Sequence, residues 1–317
     1  MGIYQTIILS LFVLFICESK GGRGATFTFV NKCDETVWPG ILGNLDLGST
    51  GFELQKGASR SFQAPTGWSG RFWGRTGCKF DGSGQVSCST GDCGSGKMEC
   101  DGTGATPPVT LAEFTLGSGS LDFYDVSLVD GYNLPMMVEV RGGSGSCAST
   151  GCTEDLNQKC PNELKIEGGG ACRSACDAFG TPEYCCKGEY ASPSTCSPSV
   201  YSQIFKSACP TSYSYAFDDA TSTFTCSGAD YTITFCPSTA SRQKTSKSEG
   251  STTDESGSGA ASGSGSASVQ EAVLADGSWL ANLATGDSIR RHHPFGAAQF
   301  WVLVLNIVSL TASFMQI

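Results

Sequence analysis

The stretch Ala25-Thr26-Phe27-Thr28-Phe29-Val30 alternates small or polar side chains with aromatic and aliphatic ones. A period of two is typical of a β-strand that buries one face. Parts of residues 138–141 and 231–235 repeat the pattern. Turn-forming pairs punctuate the chain at Asp81-Gly82, Asp101-Gly102 and Asp130-Gly131. The sequence therefore predicts a mainly β protein, with one short helix in Gly170–Ala178 that would carry Cys172 and Cys176 on one face.

The cysteines predict a disulfide framework. Sixteen of the 17 lie between Cys33 and Cys236, and an even number in an exported chain is typical of paired thiols. The cysteine spacings do not form paired zinc knuckles, and the two histidines lie far away, at His292 and His293. We therefore predict no metal site. The dense clusters in 78–100 and 147–209 lie in glycine-rich loops without apolar runs, so we expect cross-links to order them in place of packing.

The N-terminus has the features of a secretory signal. Ile7–Cys17 is apolar except for Ser10, is too short to span a bilayer comfortably, and is followed by small and polar residues. Gly22 and Gly24 suit the positions before a cleavage site. We expect residues 1–24 to be removed and the mature chain to begin at Ala25.

The C-terminus predicts a tether and a membrane anchor. Residues 238–268 are mostly Ser, Thr, Gly and Ala and have no aromatic side chain, so we expect 238–285 to be a disordered linker. Residues 286–317 resemble a glycosylphosphatidylinositol (GPI) attachment signal, with small residues, a polar spacer and the uncharged apolar tail Phe300–Ile317. Gly286 and Asn282 are the rival attachment residues. A retained transmembrane helix is the alternative, although no Lys or Arg follows the tail.

Between these segments, residues 25–237 hold 13 Lys and Arg against 23 Asp and Glu, which accounts for the whole net charge of −10. Such an acidic domain is a poor partner for nucleic acid. Its length of about 210 residues suffices for one sizeable core with appended small regions.

Long motifs within residues 25–237 resemble the thaumatin-like proteins. The motifs are Ala25–Asn31 with Cys33 and Thr36–Trp38, Gly70–Cys78, Cys88–Cys93 with Cys100, Pro107-Pro108, Thr110–Phe114, Tyr124–Asn133, Tyr184–Cys186, Ser214–Asp219 and Phe235–Pro237. The resemblance implies a flattened β-sandwich with two disulfide-rich loop regions, a small one at about 76–106 and a larger one at about 154–209. It also implies a cleft between the sandwich and the larger region.

The resemblance further implies a pairing of the sixteen cysteines into eight disulfides, which sequence spacing alone cannot choose. The implied pairs are Cys33 with Cys236, Cys78 with Cys88, Cys93 with Cys100, Cys147 with Cys226, Cys152 with Cys209, Cys160 with Cys172, Cys176 with Cys185, and Cys186 with Cys196.

By the same resemblance, five charged residues would line the cleft. They are Arg71, Glu113, Asp125, Asp130 and Asp219. Two positions have rivals, because Arg75 lies on the same strand face as Arg71 and Asp218 precedes Asp219. The spacing of Asp125 and Asp130 is odd, so Asp130-Gly131 is expected to form a turn that redirects the second carboxylate.

Clustered carboxylates beside an arginine suit two kinds of chemistry. They hydrogen-bond sugar hydroxyls, and one protonated and one ionised carboxyl can hydrolyse a glycoside; Glu113 with Asp125 or Asp130 would be the catalytic pair. The alternative is a structural role, in which Asp92 and Asp130 cap turns and Glu113 anchors a loop. Neighbouring aromatic residues would either stack on sugar rings or fill the core. These are Phe72, Trp73, Phe123, Tyr124 and Tyr132.

The leading hypothesis from the sequence is a secreted, membrane-anchored defence protein at the outer leaflet of the plasma membrane, facing the cell wall. It would bind β-1,3-glucan or a related wall polysaccharide through the acidic cleft, with the antifungal activity that the resemblance implies. A weak endo-β-1,3-glucanase is the first alternative. An inhibitor of secreted hydrolases or a cell-surface signalling partner is the second. No cofactor is expected.

Overall fold

The computed structural model describes residues 24–237, which fold mainly as β-structure. The strands are β1 (Thr26–Asn31), β2 (Trp38–Gly43), β3 (Ser59–Gln63), β4 (Ser69–Arg75), β5 (Lys79–Phe80), β6 (Val86–Ser87), β7 (Leu111–Thr115), β8 (Asp122–Ser127), β9 (Met136–Ser144), β10 (Thr150–Cys152) and β11 (Phe224–Phe235). The α-helices are α1 (Leu156–Lys159), α2 (Ala175–Phe179), α3 (Pro182–Cys185), α4 (Val200–Ala208) and α5 (Asp219–Ser222). Single 3₁₀ turns occur at Asn162–Leu164 and Gly188–Tyr190.

The long strand β11 belongs to both halves of the sandwich. Its beginning, Phe224–Cys226, pairs antiparallel with β8, which continues through β7 and β4 to β2. Its remainder pairs antiparallel with β9 and parallel with β1, and β1 also pairs with β3. Gly228, near this change of partners, has a positive φ of 64° within the continuous strand. The predicted β-sandwich is confirmed.

Aromatic side chains fill the space between the two halves. Phe27 of β1 lies 4.8 Å from Phe72 of β4 and 4.7 Å from Phe114 of β7, measured between ring centroids. All three rings are almost completely buried. The alternation at the start of the chain therefore buries its aromatic residues, and burial of such side chains contributes about 1.5–3 kcal/mol each.

Two disulfide-rich loop regions extend from this framework. The small one contains the β5–β6 hairpin, and its cysteines Cys93 and Cys100 pack on Trp73 and Val109. The larger one has a hydrophobic cluster of its own, in which Phe205, Leu156 and Leu164 pack with the half-cystines. The expectation that cross-links replace packing there is therefore wrong, because the sulfur atoms are themselves part of a packed core.

The cysteines pair as the resemblance implies, and the predicted number of eight disulfides is confirmed. The bonds are Cys33–Cys236, Cys78–Cys88, Cys93–Cys100, Cys147–Cys226, Cys152–Cys209, Cys160–Cys172, Cys176–Cys185 and Cys186–Cys196.

The helix predicted in Gly170–Ala178 is shorter and begins later. Ser174 caps it by accepting a hydrogen bond from the Asp177 amide, so α2 starts at Ala175. Cys172 lies outside the helix, where its backbone exchanges two hydrogen bonds with Tyr132. The sequence prediction also missed α4, the longest helix in residues 24–237.

Among residues 24–237, no helix is long and apolar enough to cross a membrane. The predicted signal at 1–24 lies outside the described residues except for its last position. The predicted linker at 238–285 and anchor signal at 286–317, with Gly286 and Asn282, lie entirely outside them.

Candidate functional site

Three of the predicted residues form one row across neighbouring strands. Arg71 of β4 stands opposite Glu113 of β7, which stands opposite Asp125 of β8. Directly opposed residues face the same side of a sheet, with Cβ atoms about 4.5–5.5 Å apart. Phe72 and Phe114, next to Arg71 and Glu113 in the chain, point into the sandwich core. The charged row therefore lies on the face of the sheet that points away from the sandwich core, where its three side chains are nevertheless buried.

Arg71 and Arg75 have different surroundings, although both lie on this face. The Arg75 guanidinium donates hydrogen bonds to the carbonyl oxygens of Trp38, at 2.9 Å, and Met98, at 2.7 Å, and is fully buried beneath the small loop region. Arg71 instead interacts electrostatically with Glu113 and Asp130. The geometry thus makes Arg75 a structural residue and places Arg71 with the carboxylates.

Asp130 reaches the site from a turn beyond β8. The amide of Gly131 donates a hydrogen bond to the carbonyl of Leu128 at 3.0 Å, as expected for a turn at Asp130-Gly131. Gly131 has φ of 92°, and a Cβ there would lie 2.7 Å from the Cys172 carbonyl oxygen. Only glycine fits both demands. The half-buried Asp130 carboxylate faces Arg71, Asp177 and Lys187.

Asp219 and Asp218 also divide into separate roles. Asp218 pairs with Lys206 at 2.9 Å and accepts hydrogen bonds from the amide and hydroxyl of Ser214. Exposed Asp219 accepts a hydrogen bond from the Tyr213 hydroxyl at 2.9 Å and acts electrostatically on Asp125. Asp219 therefore extends the carboxylate row, whereas Asp218 anchors the loop.

Burial keeps protons on this row at unusually high pH. Burial, opposed by Arg71 and reinforced by Asp130, raises the pKa of Glu113 to about 7. Burial and the charges of Glu113 and Asp219 raise the pKa of Asp125 well above its ordinary value. Burial raises the pKa of Asp130 to about 6, against the effects of Arg71 and Lys187. Near neutral pH the site therefore contains both protonated and ionised carboxyl groups.

Two carboxylate oxygens of the row accept no hydrogen bond from the described residues. They are Glu113 Oε1 and Asp125 Oδ2, and both are buried. Buried polar atoms normally have a partner, and leaving one without costs about 1–3 kcal/mol. This pattern is typical of a site arranged for an external donor.

A cavity of about 190 Å³ adjoins the row on the side of the larger loop region. Asp130 lines it, as do Asp177, Lys187, Tyr184 and Tyr201. Glu113 and Asp125 do not line it. Asp130 therefore connects the carboxylate row to the cavity.

Most aromatic residues that the sequence placed beside the cleft are structural. Phe72, Trp73, Tyr124 and Tyr132 are buried, and the two tyrosine hydroxyls donate to backbone carbonyls of Ala148 and Glu154. Only Phe123 is partly exposed. For the four buried residues the alternative that they fill the core therefore holds, and three of them lie in strands β4 and β8.

The aromatic and charged residues at the cavity were missed by the sequence analysis. Tyr184 and Tyr215 line the cavity and lie in the motifs Tyr184–Cys186 and Ser214–Asp219, so the resemblance could have indicated them. Asp177, Lys187 and Tyr201 also line it, and no sequence motif pointed to them. The predicted turn role of Asp92 agrees with the structure, since its carboxylate accepts hydrogen bonds from the amides of Cys88 and Gly94. Within residues 24–237, no group of three or more potential ligands is arranged for a metal ion.

Comparison with known proteins accounts for the fold. The model of the Thaumatin family matches residues 31–237, about two thirds of the chain. The chain belongs to the thaumatin family. "Thaumatin-like protein 1" of Arabidopsis thaliana is 66% identical over 246 residues, which cover 74% of this chain and 95% of that protein.

Other thaumatin-like relatives carry more specific names. "Pathogenesis-related thaumatin-like protein 3.5" of Cryptomeria japonica is 60% identical, over 73% of this chain and 96% of that protein. "Glucan endo-1,3-beta-glucosidase" of Prunus avium is 50% identical, over 73% of this chain and 98% of that protein. This is a thaumatin-like protein of the pathogenesis-related group, and such disulfide-rich proteins are typically secreted.

Proposed function

We propose that this thaumatin-like protein binds β-1,3-glucan, or a closely related cell-wall polysaccharide, through the row Arg71, Glu113 and Asp125 with Asp130 and Asp219. The observation that carries the proposal is the pair of buried carboxylate oxygens, Glu113 Oε1 and Asp125 Oδ2, without a donor among the described residues. Sugar hydroxyls supply such donors. They remain neutral, so they can enter a site whose carboxyl groups burial keeps partly protonated.

The charge of the site supports a neutral polyol over an ionic ligand. The site contains four carboxyl groups and one arginine, which disfavours anions, and the raised pKa values of Glu113, Asp125 and Asp130 reduce the attraction for cations near neutral pH. A hydroxylated chain can donate to ionised carboxylates and accept from protonated ones and from Arg71. Binding of this kind would place the protein on wall glucan, where the proposed antifungal activity would act.

The test is sedimentation of the purified domain, residues 25–237, with insoluble β-1,3-glucan. All eight disulfides and three hydrophobic clusters lie within this segment, and the Thaumatin family model matches its residues 31–237. We expect saturable binding that weakens about tenfold in Asp125→Asn, which replaces an acceptor oxygen with an amide. Asp34→Asn, at an exposed carboxylate outside the site, is the control. Absence of binding by the wild type would refute the proposal.

A second candidate is slow endo-β-1,3-glucan hydrolysis. It is favoured by the neighbouring carboxyl groups of Glu113 and Asp125, with the pKa of Glu113 at about 7, since a glycosidase needs one protonated and one ionised carboxyl. Sugar release in the same tube tests it. Release that Glu113→Gln abolishes while binding persists supports hydrolysis, and no release by the wild type contradicts it. Failure to bind glucan together with saturable binding of a secreted hydrolase would favour an inhibitor.

We also propose that the C-terminal segment attaches the domain to the outer leaflet through a GPI anchor, at Gly286 or Asn282. The support is the order of small residues, polar spacer and uncharged apolar tail in residues 286–317. Phosphatidylinositol-specific phospholipase C should release the protein from intact cells expressing the full chain. The same experiment uses a chain with an epitope tag after Ile317. If the protein stays in the membrane after lipase treatment and still carries the tag, the tail is instead a transmembrane segment.

A further inference from the structure

An aromatic cluster lies at the rim of the cavity and has no role in the carboxylate row. The Phe179 ring centroid is 5.5 Å from that of Tyr184 and 5.4 Å from that of Tyr201, and the two tyrosine rings are 5.9 Å apart. Phe179 is 40% exposed, and the two tyrosines are half-buried. We refer to Phe179, Tyr184 and Tyr201 as the aromatic rim.

The aromatic rim is held in place by covalent and polar contacts. Cys176–Cys185 joins α2, which carries Phe179, to α3, which carries Tyr184. The Tyr201 hydroxyl donates to Glu163 Oε1 at 3.0 Å. Ser199 caps α4, which begins one residue before Tyr201. Because these rings are already fixed, a ligand that stacks on them would lose little free energy to ordering.

The cavity connects this rim to the carboxylate row. Tyr184 and Tyr201 line the cavity together with Asp130, whose carboxylate interacts with Glu113 at one end and with Asp177 and Lys187 at the other. A linear ligand that starts on Glu113 and Asp125 therefore passes Asp130 before it meets aromatic rings. Carboxylates and an ammonium group pair with sugar hydroxyls, while ring faces cover the apolar C–H faces of a pyranose.

We propose that the cavity and the aromatic rim form a further sugar-binding subsite, which holds additional glucosyl units of a chain bound at the carboxylate row. This inference rests on the proposed function and extends it, because it makes the protein selective for chain length. A short oligosaccharide fills only the carboxylate row. A longer one also reaches Tyr184, Tyr201 and Phe179.

The experiment compares laminaribiose with laminarihexaose, the short and long linear β-1,3-gluco-oligosaccharides, by calorimetric titration of residues 25–237. The wild type should bind the hexaose more tightly. Phe179→Ala and Tyr184→Ala should each weaken hexaose binding about tenfold, as expected for the loss of one aromatic stacking contact, and leave laminaribiose binding unchanged. Phe80→Ala removes an aromatic ring of similar exposure, 50%, that does not line the cavity, and should change neither affinity.

Tyr184 lies next to the half-cystine Cys185, so Tyr184→Ala could alter the fold, and near-ultraviolet circular dichroism would report such a change. Phe179 is partly exposed and lies outside the disulfides, so Phe179→Ala tests the subsite independently. Equal affinity of the wild type for both sugars, or unchanged hexaose binding in Phe179→Ala, overturns the subsite and leaves the proposed function standing. If Phe179→Ala binds laminarihexaose as the wild type does but no longer binds a secreted hydrolase, the sugar subsite is also overturned, and the aromatic rim is instead a contact for a protein. If the wild type binds neither sugar nor insoluble glucan, the proposed function itself fails.

Discussion

At the residue scale, the buried Glu113 carboxyl group couples folding stability to pH. Its pKa rises from an ordinary 4.5 to about 7 in the folded protein, mainly through burial. Between these values the folded state holds a proton that the unfolded chain has released, so stability should fall as pH rises.

Replacement of Glu113 by Gln should remove this contribution. Across the window from pH 4.5 to 7, the free energy of unfolding of the wild type should fall by on the order of 3 kcal/mol relative to Glu113→Gln. Denaturant unfolding with the disulfides intact measures both profiles. Parallel profiles would show that Glu113 titrates normally.

The two arginines on β4 should separate charge effects from structural ones. Arg71 lowers the pKa of Glu113 and Asp130, so Arg71→Gln should raise the titration midpoints of both carboxyl groups. Arg75→Gln should leave these midpoints unchanged and destabilise the fold by about 2–4 kcal/mol, because the carbonyls of Trp38 and Met98 lose a buried charged donor. Carbon-13 NMR titration and thermal unfolding distinguish the two, and an equal effect on the midpoints would contradict this division.

The same pair of arginines shows what residue patterns can predict. Alternation places Arg71 and Arg75 on one strand face, and both are buried, so it cannot say which of them meets the carboxylates. The small loop region decides this: its Met98 carbonyl accepts a hydrogen bond from Arg75, while Arg71 interacts with Glu113 and Asp130. That packing depends on contacts between residues distant in the chain.

At the scale of elements, Lys206 joins α4 to the loop that supports Asp219. Its ammonium group donates to the Ser212 carbonyl at 3.1 Å and the Ser222 hydroxyl at 2.8 Å, and pairs with Asp218 at 2.9 Å. Asp218 in turn accepts the Ser214 amide. These contacts hold α5 and the segment around Tyr213 against the larger loop region.

Lys206→Met should destabilise the protein by about 3 kcal/mol, because it leaves the Asp218 carboxylate, 12% exposed, without its cation. Lys56→Met is the matched control. It breaks the Lys56–Asp34 pair, whose side chains are 63% and 93% exposed, and should change stability much less than Lys206→Met does. Equal losses in thermal unfolding would contradict the structural role of Lys206.

The strands and helices were predictable to different degrees. The alternation in β1 identifies that strand because it buries one face against the sandwich core. In β11 the alternation of residues 231–235 also identifies a strand, although Thr232 and Thr234 on its other face are buried as well. Helix α4 has a serine cap and a few apolar residues, but its sequence shares no long helical pattern, and its position depends on Phe205 packing in the cluster of the larger loop region. The pairing of β4 with β7, which brings Arg71 opposite Glu113, joins strands distant in the chain and has no short-range signal.

At the scale of the whole molecule, the disulfides contribute unequally to stability. Cys33–Cys236 closes a loop of 203 residues, and Cys78–Cys88 closes one of 10. By loop-closure entropy, these bonds should contribute about 5 and about 3 kcal/mol respectively. The double variant Cys33→Ala with Cys236→Ala should therefore unfold at lower denaturant concentration than Cys78→Ala with Cys88→Ala. The reverse order would indicate that strain or unfolded-state structure dominates.

The overall architecture was predictable mainly through resemblance. Long motifs from Ala25 to Pro237 led to the sandwich and the number of disulfides. Composition and spacing alone gave only β-structure and an even set of cysteines. The cavity and its aromatic rim could not be predicted, because they form where α2, α3 and α4 pack together. The sequences of these helices contain no hydrophobic periodicity that predicts this packing.

The position of β11 also has a consequence for biosynthesis. Of the strands in residues 24–237, β11 is made last, and it pairs with β1, β8 and β9. Until it leaves the ribosome, the earlier strands keep unpaired edges, and such edges are prone to association with other chains. We therefore expect an emerging chain that ends before Phe224 to bind chaperones persistently, and expect folding to be completed only after β11 has emerged.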